Sequence, residues 1–349
     1  MMGILLSACW LMAGCTVIDD DLSECYDGQQ LQMDYELRLV TNMTTEIKTQ
    51  LSTQLEVGLA HALKEHLSSI FSDNAHDVDL SFYDTEGAMP RLQHDQHIMD
   101  ANQQSYTLNL PMHQYMHLAV ANVVDNPVVG LNSDEFCPQS HLSTVIGSTA
   151  ADTIASHTTG LFTARQPMDV KEGIDQTFNV TLYMVNSASI LLIRTDGVDY
   201  KDVKVTSSDF ADGFYVDDSL FTYNNNRVVN DLRVTTPPVE REVFYAITFP
   251  SCDTPELAQA NYPDEVSRAD GSTGATDEDR VWRKTVYVTL PDGKITRTVI
   301  NVHQPLLAGQ VSIIYCYMKP DGGIWSPNVE VGTSVTFDWK EGLVIEDGR

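Results

Sequence analysis

The chain has 349 residues, with 49 Asp and Glu against 21 Lys and Arg, giving a formal charge of −28. Hydrophobic residues make up 42 % and charged ones only 20 %, so the acidity reflects scarce Lys and Arg in a chain with ample material for a core. So negative a surface repels phosphate backbones and anionic head groups, which argues against nucleic acid as a partner and against electrostatic attachment to membranes.

In chain order, Ile4 to Gly14 is apolar and ends in Leu11-Met12-Ala13-Gly14-Cys15. The run is too short to span about 30 Å of hydrocarbon, but it has the length of a signal-peptide core. Small residues directly before a cysteine form the pattern of a bacterial lipoprotein signal. Residues 1–14 are expected to be removed and Cys15 to be lipidated. At about 0.8 kcal/mol per buried methylene, several acyl chains hold a protein to a membrane without help from charge. The alternative is an ordinary cleaved signal peptide with a chance cysteine. Residues 15–27 then read as an acidic tether carrying Asp19-Asp20-Asp21, Glu24 and Asp27. Beyond the lipid, no cofactor is expected.

Of the six cysteines, Cys9 leaves with the signal peptide and Cys15 is used by the lipid. Cys25, Cys137, Cys252 and Cys316 remain as candidates for disulfides in an oxidising compartment. Proximity within the expected domains favours Cys25–Cys137 and Cys252–Cys316, with buried thiols as the alternative.

Gln29 to Val40 alternates apolar and polar residues and reads as a first strand. Asn42 to Ser72 carries Ile47, Leu51, Leu55, Leu59, Leu63 and Leu67 at i, i+4 spacing, the stripe of one amphipathic helix packed on a core. The pattern is β from there: Val78 to Tyr83, Ser105 to Leu110 and Tyr115 to Val124 read as strands, and residues 126–160 mostly as loops. The low-hydrophobicity stretch Gln166 to Gln176 is the expected boundary between domains 28–172 and 173–349. Phe178, Val180, Leu182 and Met184 then share a strand face, and Ser189 to Arg194 follows. Residues 251–280 form a long acidic excursion. Lys284 to Leu290 and Ile295 to Val302 flank the turn Pro291-Asp292-Gly293-Lys294, a strong hairpin signal. Val311 to Met318, a Pro320-Asp321-Gly322-Gly323 turn and Val331 to Trp339 complete the pattern. Short strands with turns every 8–12 residues predict an all-β protein, two β-sandwiches in tandem with one inserted helix.

Chemistry is sparse. His94 and His97 lie three apart and His113 and His117 four apart, but on a strand the second pair would be about 13 Å apart, too far to share an ion. The cysteines are isolated, and no metal site is expected. Hydrolase, dinucleotide and phosphate-loop motifs are missing. Abundant carboxylates make a two-carboxylate hydrolase impossible to single out. Asp270 to Asp279 does not match an EF-hand loop and reads as a solvated acidic loop. Trp282, Trp325 and Trp339 are either core residues or sugar-stacking platforms. No catalytic residue is assigned, and the expected role is binding or assembly.

The segment Cys15-Thr-Val-Ile-Asp-Asp-Asp-Leu-Ser-Glu-Cys25, with its D-D-L-S-x-C run, resembles the start of the FimB-type fimbrial anchor lipoproteins of Bacteroidales. Leu80 to Gly87 looks like that family's aromatic-Asp-x-x-Gly hairpin. Leu108 to Tyr115, followed by Val120-Ala-Asn122, looks like its L-x-L-P-x-x-x-Y strand pair. A late Asp338-Trp339-Lys340 also fits, while the helix at 42–72 has no counterpart. The resemblance implies two transthyretin-like sandwiches on an outer-membrane lipid anchor. It also implies a non-enzymatic subunit that attaches the base of a fimbrium to the cell surface and helps set its length. Its partners would be fimbrillin subunits, joined by donation of a strand from one subunit to the open sheet of the next. Val331, Val335, Phe337 and Trp339 are the candidate donor contacts, unless they form the last strand of their own domain. The alternatives are a surface carbohydrate-binding lipoprotein using exposed tryptophans and, less favoured, a surface hydrolase.

Overall fold

The computed structural model describes residues 29–38, 63, 67, 76–98, 105–124, 126–132, 141–144, 153–172, 174–223, 228–235, 240–253, 282–327 and 330–336. Cys15, Cys25, Cys137, Phe337, Trp339, the acidic loop 270–279 and the acidic tether therefore lie outside the described residues, as does most of the helix expected at 42–72. Of that stretch, Leu63 and Leu67 are described, both helical and both buried in the first core.

The first strands are β1 (Gln29–Arg38), β2 (Val78–Asp84), β3 (Arg91–Ile98), β4 (Ser105–Leu110) and β5 (Gln114–Ala121). Then come β6 (Val129–Asn132), β7 (His141–Thr144), β8 (Thr153–Ala155), β9 (Phe162–Asp169), β10 (Gln176–Met184) and β11 (Ser187–Arg194). They are followed by β12 (Asp202–Ser208), β13 (Gly213–Tyr215), β14 (Leu220–Thr222), β15 (Val228–Asn230), β16 (Leu232–Arg233) and β17 (Arg241–Thr248). The last are β18 (Trp282–Thr289), β19 (Ile295–Val302), β20 (Val311–Met318), β21 (Ile324–Trp325) and β22 (Glu330–Thr336).

These strands form four sheets. A seven-stranded sheet has the order β3-β2-β5-β9-β10-β1-β4, and a five-stranded sheet the order β16-β17-β11-β20-β21. A six-stranded sheet runs β22-β19-β18-β12-β15-β8 and a four-stranded sheet β14-β13-β7-β6. Burial follows strand alternation. In β11 both faces are covered, so SASILLIR is buried up to Ile193 and carries the unbroken apolar run Ile190-Leu191-Leu192-Ile193. Ile190 and Leu192 point one way into a cluster with Leu80, Phe82, Leu108, Val180 and Leu182 of the seven-stranded sheet. Leu191 and Ile193 point the other way, against Val203, Trp282, Val286 and Ile300 of the six-stranded sheet. A third core lies on the opposite face of the seven-stranded sheet, where Tyr83, Leu118 and Val120 meet Val129, Leu142, Phe214 and Phe221.

The all-β expectation and most strands agree with the structure, and three features of the organisation go beyond what the sequence pattern shows. The stretch 166–176 is not a linker between sheets, since Gln166–Asp169 finishes β9, Gln176 opens β10, and both strands lie in one sheet. The chain passes to the next sheet at Val185-Asn186. Second, residues 126–160 hold β6, β7 and β8, which are too short for alternation to register. Third, the halves are interleaved. β7 pairs with β13, and β8 pairs in parallel with β15, so early strands complete sheets built mainly by later ones.

Candidate functional site

The described residues that carried the family resemblance lie at the two ends of the β2–β5 ladder, with Asp84, His113 and Tyr115 at one end and Asn122 at the other. Asp84 ends β2, and its Oδ1 accepts the Glu86 amide at 2.9 Å, closing an Asx turn. Its Oδ2 pairs with His113 Nδ1, joining the β2–β3 turn to the segment that leads into β5. Tyr115 is buried, and its hydroxyl donates to the Pro111 carbonyl at 2.9 Å. Asn122 has φ +68°, a left-handed conformation that Asn tolerates better than most residues. Its Oδ1 accepts the His76 amide at 2.9 Å and its Nδ2 donates to the Gly160 carbonyl at 2.7 Å. These motifs therefore serve turns and strand crossings. The cleft beside them, lined by Thr85, Gln114, Tyr115, Pro167 and Asp169, has a volume of about 200 Å³. That is below the roughly 300–1,000 Å³ of small-molecule pockets.

The histidines do not converge. His94 packs on Phe82 with ring centroids 5.9 Å apart, whereas His97 Nδ1 lies 2.7 Å from Asp79 Oδ1, as a three-residue offset across a strand requires. His117 is fully buried in β5, stacked on Phe82 at 4.4 Å, and desolvation lowers its pKa to about 4. Burial alone lowers His157 to about 3. Among the described residues, no three His, Cys, Asp or Glu side chains are grouped so as to hold a metal ion.

The two described tryptophans differ. Trp282 is fully buried and donates its Nε1–H to the Gln304 carbonyl at 2.9 Å, so it is a core residue and no sugar platform. Trp325 is 47 % exposed. It lies opposite Tyr317, which in turn lies opposite Arg194, forming a row across β21, β20 and β11. The Trp325 and Tyr317 rings are 5.5 Å apart, and the Arg194 guanidinium lies 5.6 Å from the Tyr317 ring centre. Asp196 Oδ1 accepts from Arg194 Nη2 at 2.9 Å, holding the cation over the ring. Sequence spacing could not group these residues, which come together only through the β11–β20 pairing.

Val331 and Val335 lie on β22, opposite Ile300 and Thr296 of β19, so this segment completes its own six-stranded sheet. β22 is an edge of that sheet, with no strand on its outer side among the described residues. The seven-stranded sheet ends in β3 and β4. The β3 edge is blunted by exposed Arg91, Asp95 and His97, while β4 exposes only the uncharged Ser105, Thr107 and Asn109.

Cys252 and Cys316 are both buried and neither forms a disulfide, so the expected Cys252–Cys316 bridge is absent. Strand register gives the reason. Cys316 lies level with Ile193 near the end of β11, whereas Thr248, just ahead of Cys252, lies level with Ser187 at its start. That separation is about 20 Å along the strand, against about 6 Å between the Cα atoms of a disulfide.

No protein-family model matches the chain, and no curated protein matches it in sequence. Solved structures do share its fold. A candidate adhesin from Bacteroides ovatus overlays with a TM-score of 0.56 at 10 % identity, covering 85 % of this chain and 88 % of that one. A candidate polysaccharide-binding protein from Bacteroides thetaiotaomicron gives 0.52 at 12 % identity, with coverages of 89 % and 99 %. The fimbrial anchor protein Mfa2 from Porphyromonas gingivalis gives 0.46 at 10 % identity, with coverages of 89 % and 100 %, and the fold assignment rests on the first two. Over most of its length the chain has the fold of these two Bacteroides proteins.

Proposed function

We propose that the protein is a lipid-anchored fimbrial subunit of the outer-membrane surface, with an assembly and adhesion role and no enzymatic one. The observation that carries this reading is a fold shared along most of the chain with a candidate adhesin, in a sequence that opens with the Cys15 lipidation pattern and an acidic tether. Strand addition supplies the physical means of joining fimbrillin subunits. Main-chain hydrogen bonds at an edge such as β4 or β22 give affinity, and alternating side chains give specificity. A subunit held by lipid at the base of a fimbrium would both attach it and limit its growth. Cys15→Ala is expected to move the protein and its fimbriae from the membrane fraction into the medium. Fimbriae that remain attached and of normal length would reject the anchoring role.

The Trp325–Tyr317–Arg194 row favours a second reading, a surface that stacks on sugar rings. Neutral oligosaccharides titrated against Trp fluorescence should give a saturable change that Trp325→Ala abolishes. An unchanged signal in that variant would reject the platform.

A further inference from the structure

Lys284 lies on the inner face of β18, in line with buried Trp282 and Val286, and its side chain has no exposure to solvent. Asp231 follows β15, and its side chain is equally buried. Lys284 Nζ contacts Asp231 Oδ2 directly. Ser207, on β12, lies opposite Lys284 in the ladder. It accepts from Lys284 Nζ at 2.9 Å and donates its own hydroxyl to Asp231 Oδ1 at 2.6 Å. Amine, carboxyl and hydroxyl thus form a closed ring with water excluded. From this geometry we propose that Lys284 and Asp231 condense to an intramolecular amide that ties β18 to the turn after β15.

The step balances without a co-reactant. One ammonium proton passes to Asp231 Oδ2, leaving a free amine facing a neutral carboxyl group. The Nζ lone pair attacks Cγ, and a second proton travels through Ser207 Oγ to Oδ1, giving a tetrahedral carbon with two hydroxyls. One hydroxyl leaves with the proton of the other as water, the Cγ–O bond breaks, and the carbonyl is restored. Burial favours this outcome in two ways. Desolvation lowers the pKa of Lys284, which makes the nucleophilic amine accessible. Two charges in a dry core also carry a desolvation penalty, which a neutral amide removes. On the fimbrial role proposed above, a covalent tie between β18 and the β15 turn would resist pulling forces.

Tryptic mapping of the full chain, denatured and reduced, tests the proposal. The expected product is one branched peptide joining residues 228–233 to residues 284–294, with their combined mass less one water and no cleavage after Lys284. Recovery of residues 228–233 alone, with cleavage after Lys284, would mean an ordinary ion pair and overturn the proposal. Lys284→Arg keeps the charge but cannot form the amide, so the branched peptide must vanish in that variant. Ser207→Ala is expected to lower the linked fraction severalfold, and full linkage there would overturn the hydroxyl relay.

Discussion

Asn186 donates its Nδ2–H to His157 Nδ1 at 2.8 Å, with both residues buried at the point where the chain leaves the seven-stranded sheet for the five-stranded one. The Asn186 side-chain oxygen accepts the Leu161 amide, and its backbone carbonyl accepts the Gly309 amide at 2.7 Å. The His157 amide in turn donates to the Ile247 carbonyl at 2.8 Å. Segments distant in sequence are fastened through one carboxamide and one imidazole.

Asn186→Ala removes that fastening and leaves a buried amide and a ring nitrogen without partners. At about 1–3 kcal/mol for each unsatisfied group, the loss should be about 3 kcal/mol. It should appear as a lower urea midpoint with an unchanged slope. A midpoint equal to that of the wild type would show that the junction is not a stabilising element.

Acid should weaken the fold through the two buried imidazoles. In the unfolded chain a histidine titrates near 6.5, but the folded protein holds His117 at about 4 and His157 at about 3. The unfolded state binds more protons between these values, so the contribution is full above pH 6.5 and is lost as pH falls toward 4 and then 3. Asp217 has the opposite sign: burial and Asp218 raise it to about 6, so its contribution declines as pH rises from about 4 to 6. Urea midpoints from pH 7 to 4.5 should fall in the wild type and fall less in His117→Gln.

Asn122 combines a left-handed backbone with two side-chain hydrogen bonds, and two substitutions separate these roles. Asn122→Gly keeps the conformation and loses the bonds, whereas Asn122→Ala loses both. Thermal unfolding should rank wild type above Gly and Gly above Ala, with about 1 kcal/mol between the two variants. Equal stability of the two variants would remove the backbone argument.

The thiols of Cys252 and Cys316 should react with iodoacetamide after denaturation without any reductant. Cys316 is held in an apolar core that pushes its pKa up to about 12, so at neutral pH it should resist alkylation in the folded protein. A peptide in which Cys252 and Cys316 are linked to each other would contradict the strand register.

Strands whose side chains alternate between core and solvent were legible residue by residue. The β18–β19 hairpin is one case: Asp292 and Gly293 form its turn, Gly293 has φ +87°, and the Leu290 amide donates to the Lys294 carbonyl at 2.8 Å. β3 gives no alternation signal because RLQHDQHI is an edge strand with only two apolar residues, Leu92 and Ile98. The candidate aromatic row escaped because cross-strand neighbours such as Arg194 and Tyr317 are far apart in the chain.

By itself the sequence determined what depends on neighbours along the chain: the β periodicity, the hairpin turns and the sign of the net charge. Tertiary structure alone decided what depends on strand register. That includes the interleaving of the halves through β7 and β8, the separation of Cys252 from Cys316, the burial of Trp282 against the exposure of Trp325, and the meeting of Lys284 with Asp231. The physical reason is that alternation specifies which face of a strand is apolar, but it does not specify which strand lies beside it. That choice is made by packing over the whole molecule.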